Sequence, residues 1–382
     1  MQIIDWQTLD EPARDAALRR PAQQHNDTLQ TQVQALLAAV RAEGDAALLR
    51  LTVQFDGVTL QDLRVGEAEF AAAESRLDPA DLQAIDIAIA NVRAFHAAQQ
   101  LSPLTLEVQA GVRCERLIRP LGAVGLYVPA GSAPLPSTAI MLAIPAALAG
   151  CPRRVLCTPP QRDGRANASV LAAARRCGIT EVFKVGGAQA IAAMAYGTTT
   201  VPKVAKIFGP GNAWVTAAKQ LVAADPDGAA LDMPAGPSEV MVIADGAANP
   251  EFVASDLLAQ CEHDPKAQAV LVTDSRELAQ QVQSALNAQM AALSRHAILQ
   301  QAVNSSRLIL VPDLTTAVAV SERYAPEHLI VQTRAPRQLL EQISTAGSVF
   351  LGPWSPEPMG DYCSGTNHVL PTYGYARSYS GL

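Results

Sequence analysis

From about residue 113 onward the chain alternates almost without interruption between short β-branched runs and helical stretches. Strand-like runs lie at 122–128, 153–158, 181–185 and 204–208, separated by helical patterns at 138–149, 166–177 and 188–195 and followed by one running to 221. After a turn-rich break, MPAGPS at 233–238, the pattern resumes. Strands are expected at 240–244, 269–273, 307–311, 328–331 and 348–351, with helices at 251–263, 277–290, 315–323 and 336–343. A strand that feeds a helix and returns to another strand is satisfied by a parallel sheet covered on both faces. The break makes two such modules, meeting near residue 236. Ahead of them, apolar positions Leu29, Val33, Leu36, Leu37 and Val40 fall at helical spacing behind a cap at Asp27-Thr28, and a second long helix fits 79–100.

Composition narrows the function classes. A chain of 382 residues suits two or three domains. Aromatics are only 4%, so the core must be built from Ala, Val, Leu and Ile. The formal charge is −7 with no basic run, which argues against a nucleic-acid partner or an anionic membrane surface. No apolar run reaches the roughly 20 residues of a membrane span, and the N-terminus carries charge too early for a secretory signal. The six cysteines (Cys114, Cys151, Cys157, Cys177, Cys261 and Cys363) form no C-x-x-C pair and read as free thiols in a reducing compartment. The expectation is a soluble, cytoplasmic protein. His96 lies on the apolar stripe of its helix and reads as a packing histidine; His25 and His296, among polar residues, read as solvated.

Three groups of residues carry chemistry. No G-x-G-x-x-G follows a strand, yet three glycine-rich turns do: PAGSAP, GG at 186–187 and GPGN at 209–212. In a parallel sheet all three gather at the carboxyl edge, where ligands bind. Next, Gln260 and His263 stand three apart at the end of a predicted helix stopped by Asp264-Pro265, a placement that puts an amide oxygen and an imidazole on one face. Such a pair can ligate a divalent metal or hold a polar substrate. Finally, Glu327 and His328 occupy the junction between a helix broken at Pro326 and a strand. Histidine is the usual proton-transfer group near neutral pH, and a Glu can activate a water. In the loop 352–368, Asp361 is a potential oxygen ligand and His368 a ligand or substrate partner.

Seven segments in order resemble the histidinol dehydrogenase family: GLYVPAGSAPLPST, KVGGAQAIAAMAYGT, IFGPGNAWVTAAK, DMPAGPSEV, LLAQCEHDP, YAPEHL and GDYCSGTNHVLPT. The likeness runs from about residue 28 to the end. It implies NAD-dependent oxidation of L-histidinol through L-histidinal to L-histidine by a homodimer with one zinc per site. It also implies roles for particular residues: Gln260, His263 and Asp361 as zinc ligands, Glu327 and His328 as the acid/base pair, and Tyr127, Gln189 and Asn212 as NAD contacts. Ser238 and His368 are implied substrate contacts, beside Gln260, His263, His328 and Asp361. The expected fold is α/β: two doubly wound, incomplete Rossmann-like parallel-sheet domains with an N-terminal helical segment. The domains are expected as an arm at 1–27, a discontinuous domain at 28–112 and 237–382 carrying most zinc and catalytic residues, and a domain at 113–236 carrying the dinucleotide-binding turns.

Family members continue past the SYSGL at 378–382 with a tail that supplies a further zinc-binding His and a substrate-binding Glu to the partner's site. The expectation is a truncated chain with at most three protein ligands to zinc, weakened zinc retention and little turnover. Alternatives from the residues themselves are a dehydrogenase of another small alcohol or diol on the same scaffold, a catalytically dead binding protein, a zinc hydrolase without NAD, and an aldehyde oxidation through Cys114 or Cys261.

Overall fold

The computed structural model describes residues 1–21, 27–130 and 134–379. Strand β1 (Gln2–Asp5) opens the chain, and β2 (Leu104–Gln109) and β3 (Val112–Arg116) form an antiparallel hairpin exposed along its length. Then follow β4 (Ala123–Tyr127), β5 (Arg153–Thr158), β6 (Glu181–Lys184), β7 (Lys206–Phe208) and β8 (Ala230–Leu231). The last five are β9 (Glu239–Ala244), β10 (Gln268–Thr273), β11 (Arg307–Leu310), β12 (His328–Gln332) and β13 (Ser348–Leu351). Two parallel sheets result, a five-stranded one ordered β6-β5-β4-β7-β8 and a six-stranded one ordered β1-β11-β10-β9-β12-β13. In each, the strand order reverses beside a central strand, between β4 and β7 and between β9 and β12. This is the expected α/β class, doubly wound and Rossmann-like.

The chain divides into two compact units, 1–26 with 233–361 and 369–382, and 27–232 with 362–368. Two expectations are corrected. Residues 28–112 belong with 113–232 rather than with the C-terminal region, because the stripe Val33, Leu37 and Val40 buries in one core with Ile191, Ala192, Val215 and Val222. The first 21 residues are not a separate arm: β1 pairs with β11 from Gln2↔Arg307 to Asp5↔Leu310 and extends the six-stranded sheet. His25 lies outside the described residues, as do the side chains of Asp27 and Cys363.

In the six-stranded sheet β9 (EVMVIA) is buried along its whole length, as a strand covered on both faces must be. Val240 and Val242 pack with Val253, Leu257 and Cys261 on one face, and Met241 and Ile243 pack with Val318, Tyr324 and Leu329 on the other. Each fully buried aliphatic side chain contributes about 1.5–3 kcal/mol relative to exposure. Few aromatics are needed, since alanine-rich helices such as Gly187–Tyr196 lie close on the five-stranded sheet, with Ala188 to Ala195 all buried. Among the described residues no helix is long and apolar enough to cross a membrane.

The turn after β7 requires glycine at its first position. Gly209 has φ +124°, and a Cβ there would overlap the carbonyl oxygen of Tyr127. Its N–H donates to Asp232 Oδ2 at 2.8 Å and its carbonyl accepts from Lys219 Nζ at 2.8 Å, while Lys219 and Asp232 form a buried ion pair. Gly209→Ala is expected to destabilise the protein by roughly 2–4 kcal/mol, from backbone strain plus overpacking. A fall in the urea midpoint of unfolding is the measurement that checks it.

Candidate active site

The helix Pro250–Cys261 starts at Asn249, whose side chain accepts from Glu251 N–H, with Pro250 in its first turn. Its buried stripe Val253, Leu257 and Cys261 fixes its roll, and that roll turns Gln260 inward as well. Both polar atoms of the Gln260 side chain are buried without a hydrogen-bond partner. A buried amide in that state costs on the order of 1–3 kcal/mol unless something occupies it. His263 is not on this helix, contrary to the sequence expectation. The helix stops at Cys261 and His263 stands exposed in the following turn, its N–H donating to Gln260 C=O at 3.2 Å. The i, i+3 relation still holds the two close, through the turn rather than through a shared helix face.

Asp361 is carried by a π-helical turn, Met359–Cys363, a local widening that often marks functional positions. It is buried. Donor atoms of His263, Glu357 and Asp361 all lie within 4.8 Å of one another, a spacing that suits a single metal ion. Glu357 was not foreseen. It is 1% exposed, and neither of its oxygens meets a hydrogen-bond donor. Burial pushes its carboxyl up to about 8, with His328 acting against the rise and Asp361 adding to it. Imidazole nitrogen and carboxylate oxygen are donor types zinc accepts, and the Gln260 amide is buried with its polar atoms unpartnered one turn before His263. The residues present therefore fit a zinc ion.

The Glu327–His328 junction lies at the amino edge of the six-stranded sheet. The helix Leu314–Tyr324 ends in a left-handed Ala325, φ +53°, and Pro326 prevents it from continuing. His328 then opens β12 in register with Val240, the second residue of β9, and with Ser348, which opens β13. Its Nδ1 lies 3.1 Å from Glu239 C=O. A carbonyl only accepts, so Nδ1 carries a proton and Nε2 is the atom at which the ring's second proton comes and goes. Nε2 lies 3.3 Å from Asp361 Oδ1. Glu327 Oε2 accepts from Glu239 N–H at 2.9 Å and stands 3.6 Å from His328 Nδ1. Burial pushes the Glu327 carboxyl up to about 8, against the pull of His328. Burial lowers His328, but the carboxylates of Glu327 and Asp361 outweigh it and raise the imidazole well above its ordinary value. Ser238, half-buried, immediately precedes β9.

In the other unit the glycine-rich turns do follow the strand ends. Tyr127 closes β4, and its buried hydroxyl accepts from Gly187 N–H at 3.0 Å, so the turn after β6 is tied to the end of β4. Burial pushes that phenol up to about 12, which keeps it neutral. Gln189 is buried in the first turn of Gly187–Tyr196. Asn212 caps the helix Ala213–Ala224, accepting from Trp214 and Val215 N–H at 3.0 and 3.2 Å. Beyond β4 and β5 lies a cavity of about 330 Å³, bordered by Asp56, Pro134, Pro159, Gln161 and Arg162. Gly131 of the first turn lies outside the described residues. His368 Nε2 is 3.0 Å from Ser137 Oγ, in this unit. His96 packs as expected, buried, with Nδ1 2.8 Å from Val92 C=O.

Comparison with known proteins accounts for this arrangement. The sequence model of the family described as "Histidinol dehydrogenase" matches residues 18–382. A histidinol dehydrogenase of Xanthomonas euvesicatoria pv. vesicatoria is 56% identical over 382 residues, covering 100% of this chain and 88% of the relative. One of Xylella fastidiosa is also 56% identical, with the same coverage. The solved histidinol dehydrogenase of Elizabethkingia anophelis superposes with a TM-score of 0.95 at 46% identity, over 100% of this chain and 87% of that one. The chain therefore belongs to the histidinol dehydrogenase family of oxidoreductases.

Proposed function

We propose that this protein oxidises L-histidinol to L-histidine through L-histidinal, in two successive NAD-dependent steps at a zinc site. The observation that carries the reading is the buried meeting of His328 with Asp361, beside His263 and the unpartnered Gln260, in a chain of this family. Gln260, His263 and Asp361 would hold the zinc, which when bound supplies a positive charge that anchors and polarises the substrate. Glu357 lies close enough to serve the same cation. Tyr127, Gln189 and Asn212 would hold NAD, which when bound supplies the hydride acceptor for both steps. His328 Nε2 is the base for the alcohol proton as the first hydride leaves. Glu327, held neutral or charged by small changes around it, takes a proton from the water that adds to the aldehyde. His328 returns its proton to the aldehyde oxygen as the water adds, and then takes a hydroxyl proton of the hydrate as the second hydride departs. Ser238 and His368 are assigned to substrate contact.

The same reading makes the protein a cytoplasmic homodimer. The described cysteines are free thiols, which suits a reducing compartment, and the exposed hairpin with Leu104, Leu106, Val108 and Val112 suits burial against a second copy. The test is NADH formation at 340 nm from zinc, NAD and L-histidinol. Two NADH for each histidinol consumed is the expected result. One NADH with free aldehyde accumulating, or turnover of other amino alcohols or diols in preference to histidinol, would overturn it.

A further inference from the structure

Glu239 is attached to the acid/base pair at three points. Its N–H donates to Glu327 Oε2 at 2.9 Å, its carboxylate Oε1 accepts from Glu327 N–H at 3.3 Å, and its carbonyl accepts from His328 Nδ1–H at 3.1 Å. The first residue of β9 thus fixes the Glu327 carboxylate, the Glu327 backbone and the His328 tautomer together. A buried carboxylate holds such a pose only if its own lone pairs are satisfied. Here Arg20 does so from the chain's first segment. Its Nη2 donates to Glu239 Oε1 at 2.8 Å and its Nε donates to Glu239 Oε2. The guanidinium also donates to Tyr324 C=O at 2.8 Å and lies 3.8 Å over the Tyr324 ring. The single Tyr324 hydroxyl proton is shared between two acceptors in reach, Gln268 Oε1 at 2.9 Å and Glu239 Oε2 at 3.3 Å. Neither Arg20 nor Glu239 exceeds 8% exposure.

We propose that the Arg20–Glu239–Tyr324 clamp is a positioning device for the Glu327–His328 pair, with Glu239 as the positioning residue and Arg20 as the group that locks it. The inference rests on the acid/base roles proposed above. A bidentate guanidinium fixes the carboxylate plane, which an ammonium cannot do. When Arg20 is removed, Glu239 is left charged and unpaired beside Glu327, and it turns or takes up a proton. Either change releases Glu327 N–H and lets the dyad drift. Misplacement of this kind is read chiefly in kcat, because the pair moves protons in the chemical steps while zinc and NAD are assigned to other residues.

The experiment compares Glu239→Gln, Arg20→Met, their double variant and Tyr324→Phe in the full chain, with zinc content and KM for histidinol and NAD measured alongside kcat. Glu239→Gln and Arg20→Met are each expected to lower kcat about 10- to 100-fold with KM and zinc content nearly unchanged. The double variant is expected to cost no more than the worse single one, since both act through one contact. Tyr324→Phe keeps the ring and loses one donor, so it should fold where Arg20→Met does not, and should lower kcat about 3- to 10-fold. Arg20→Lys is expected to recover part of the Arg20→Met loss. A kcat within twofold of the unmodified chain for Glu239→Gln and Tyr324→Phe would sink the proposal. So would a loss that appears only in KM or in zinc content. An unmodified chain that makes no NADH removes the function proposed above, and this inference with it.

Discussion

Replacing His328 with Asn is expected to lower kcat by roughly 10²–10⁴-fold, the usual worth of a positioned acid/base group. The choice of Asn makes the loss specific. Its amide nitrogen can occupy the place of Nδ1 and keep the bond to Glu239 C=O, so β12 should still start in register. What disappears is Nε2, the atom facing Asp361. Under the proposed mechanism, in which both oxidations release a hydroxyl proton to this nitrogen, both should slow, and NAD affinity measured by calorimetry should stay unchanged. Glu327→Gln offers the contrast. It should spare alcohol oxidation more than the water-dependent aldehyde step, and rapid-quench analysis of histidinal and histidine separates the two.

Zinc retention should fail in Asp361→Asn. The amide keeps the shape of the carboxylate but loses its charge and one strong oxygen donor, in a cluster whose remaining close donors are His263 and Glu357. Loss of an outer-shell partner already costs about 10–100-fold in metal affinity, and loss of an inner ligand should exceed that. Competition against a chromophoric chelator reads the affinity directly and needs no turnover. Glu357→Gln should weaken zinc in the same direction but less, since that carboxyl is pushed toward neutrality by burial before any ion arrives. Unchanged zinc affinity in Asp361→Asn would remove Asp361 from the ligand set.

The sequence made the sheets legible because each central strand is covered on both faces, so β9 and β10 read as unbroken apolar runs between helices. Residues 27–112 were misassigned for the opposite reason. The stripe Val33, Leu37 and Val40 declares that a face is buried but not against what, and its partners lie more than a hundred residues on. Strand β1 escaped notice because four residues at a sheet edge carry too little periodicity to stand out. At the site, the motif residues Gln260, His263, Glu327, His328 and Asp361 were readable as chemistry. Glu357 and Glu239 were not, although each stands in a segment that drew notice, Glu357 four residues before Asp361 and Glu239 directly after Ser238. Their importance comes from burial without donors in one case and from contacts across strands in the other, and neither leaves a mark on local sequence.

Strand β1 also dictates an order of events. Among the described residues its ladder is with β11, so Gln2–Asp5 wait for Arg307–Leu310 to be made before they can pair. The unit built largely from 27–232 is nearly continuous and can fold while synthesis proceeds, whereas the unit holding His328 joins residues 1–26 to residues beyond 232 and cannot close until those have been made. Arg20 rides on that early, waiting segment, so the clamp on the Glu327–His328 pair should be among the last features of its unit to form.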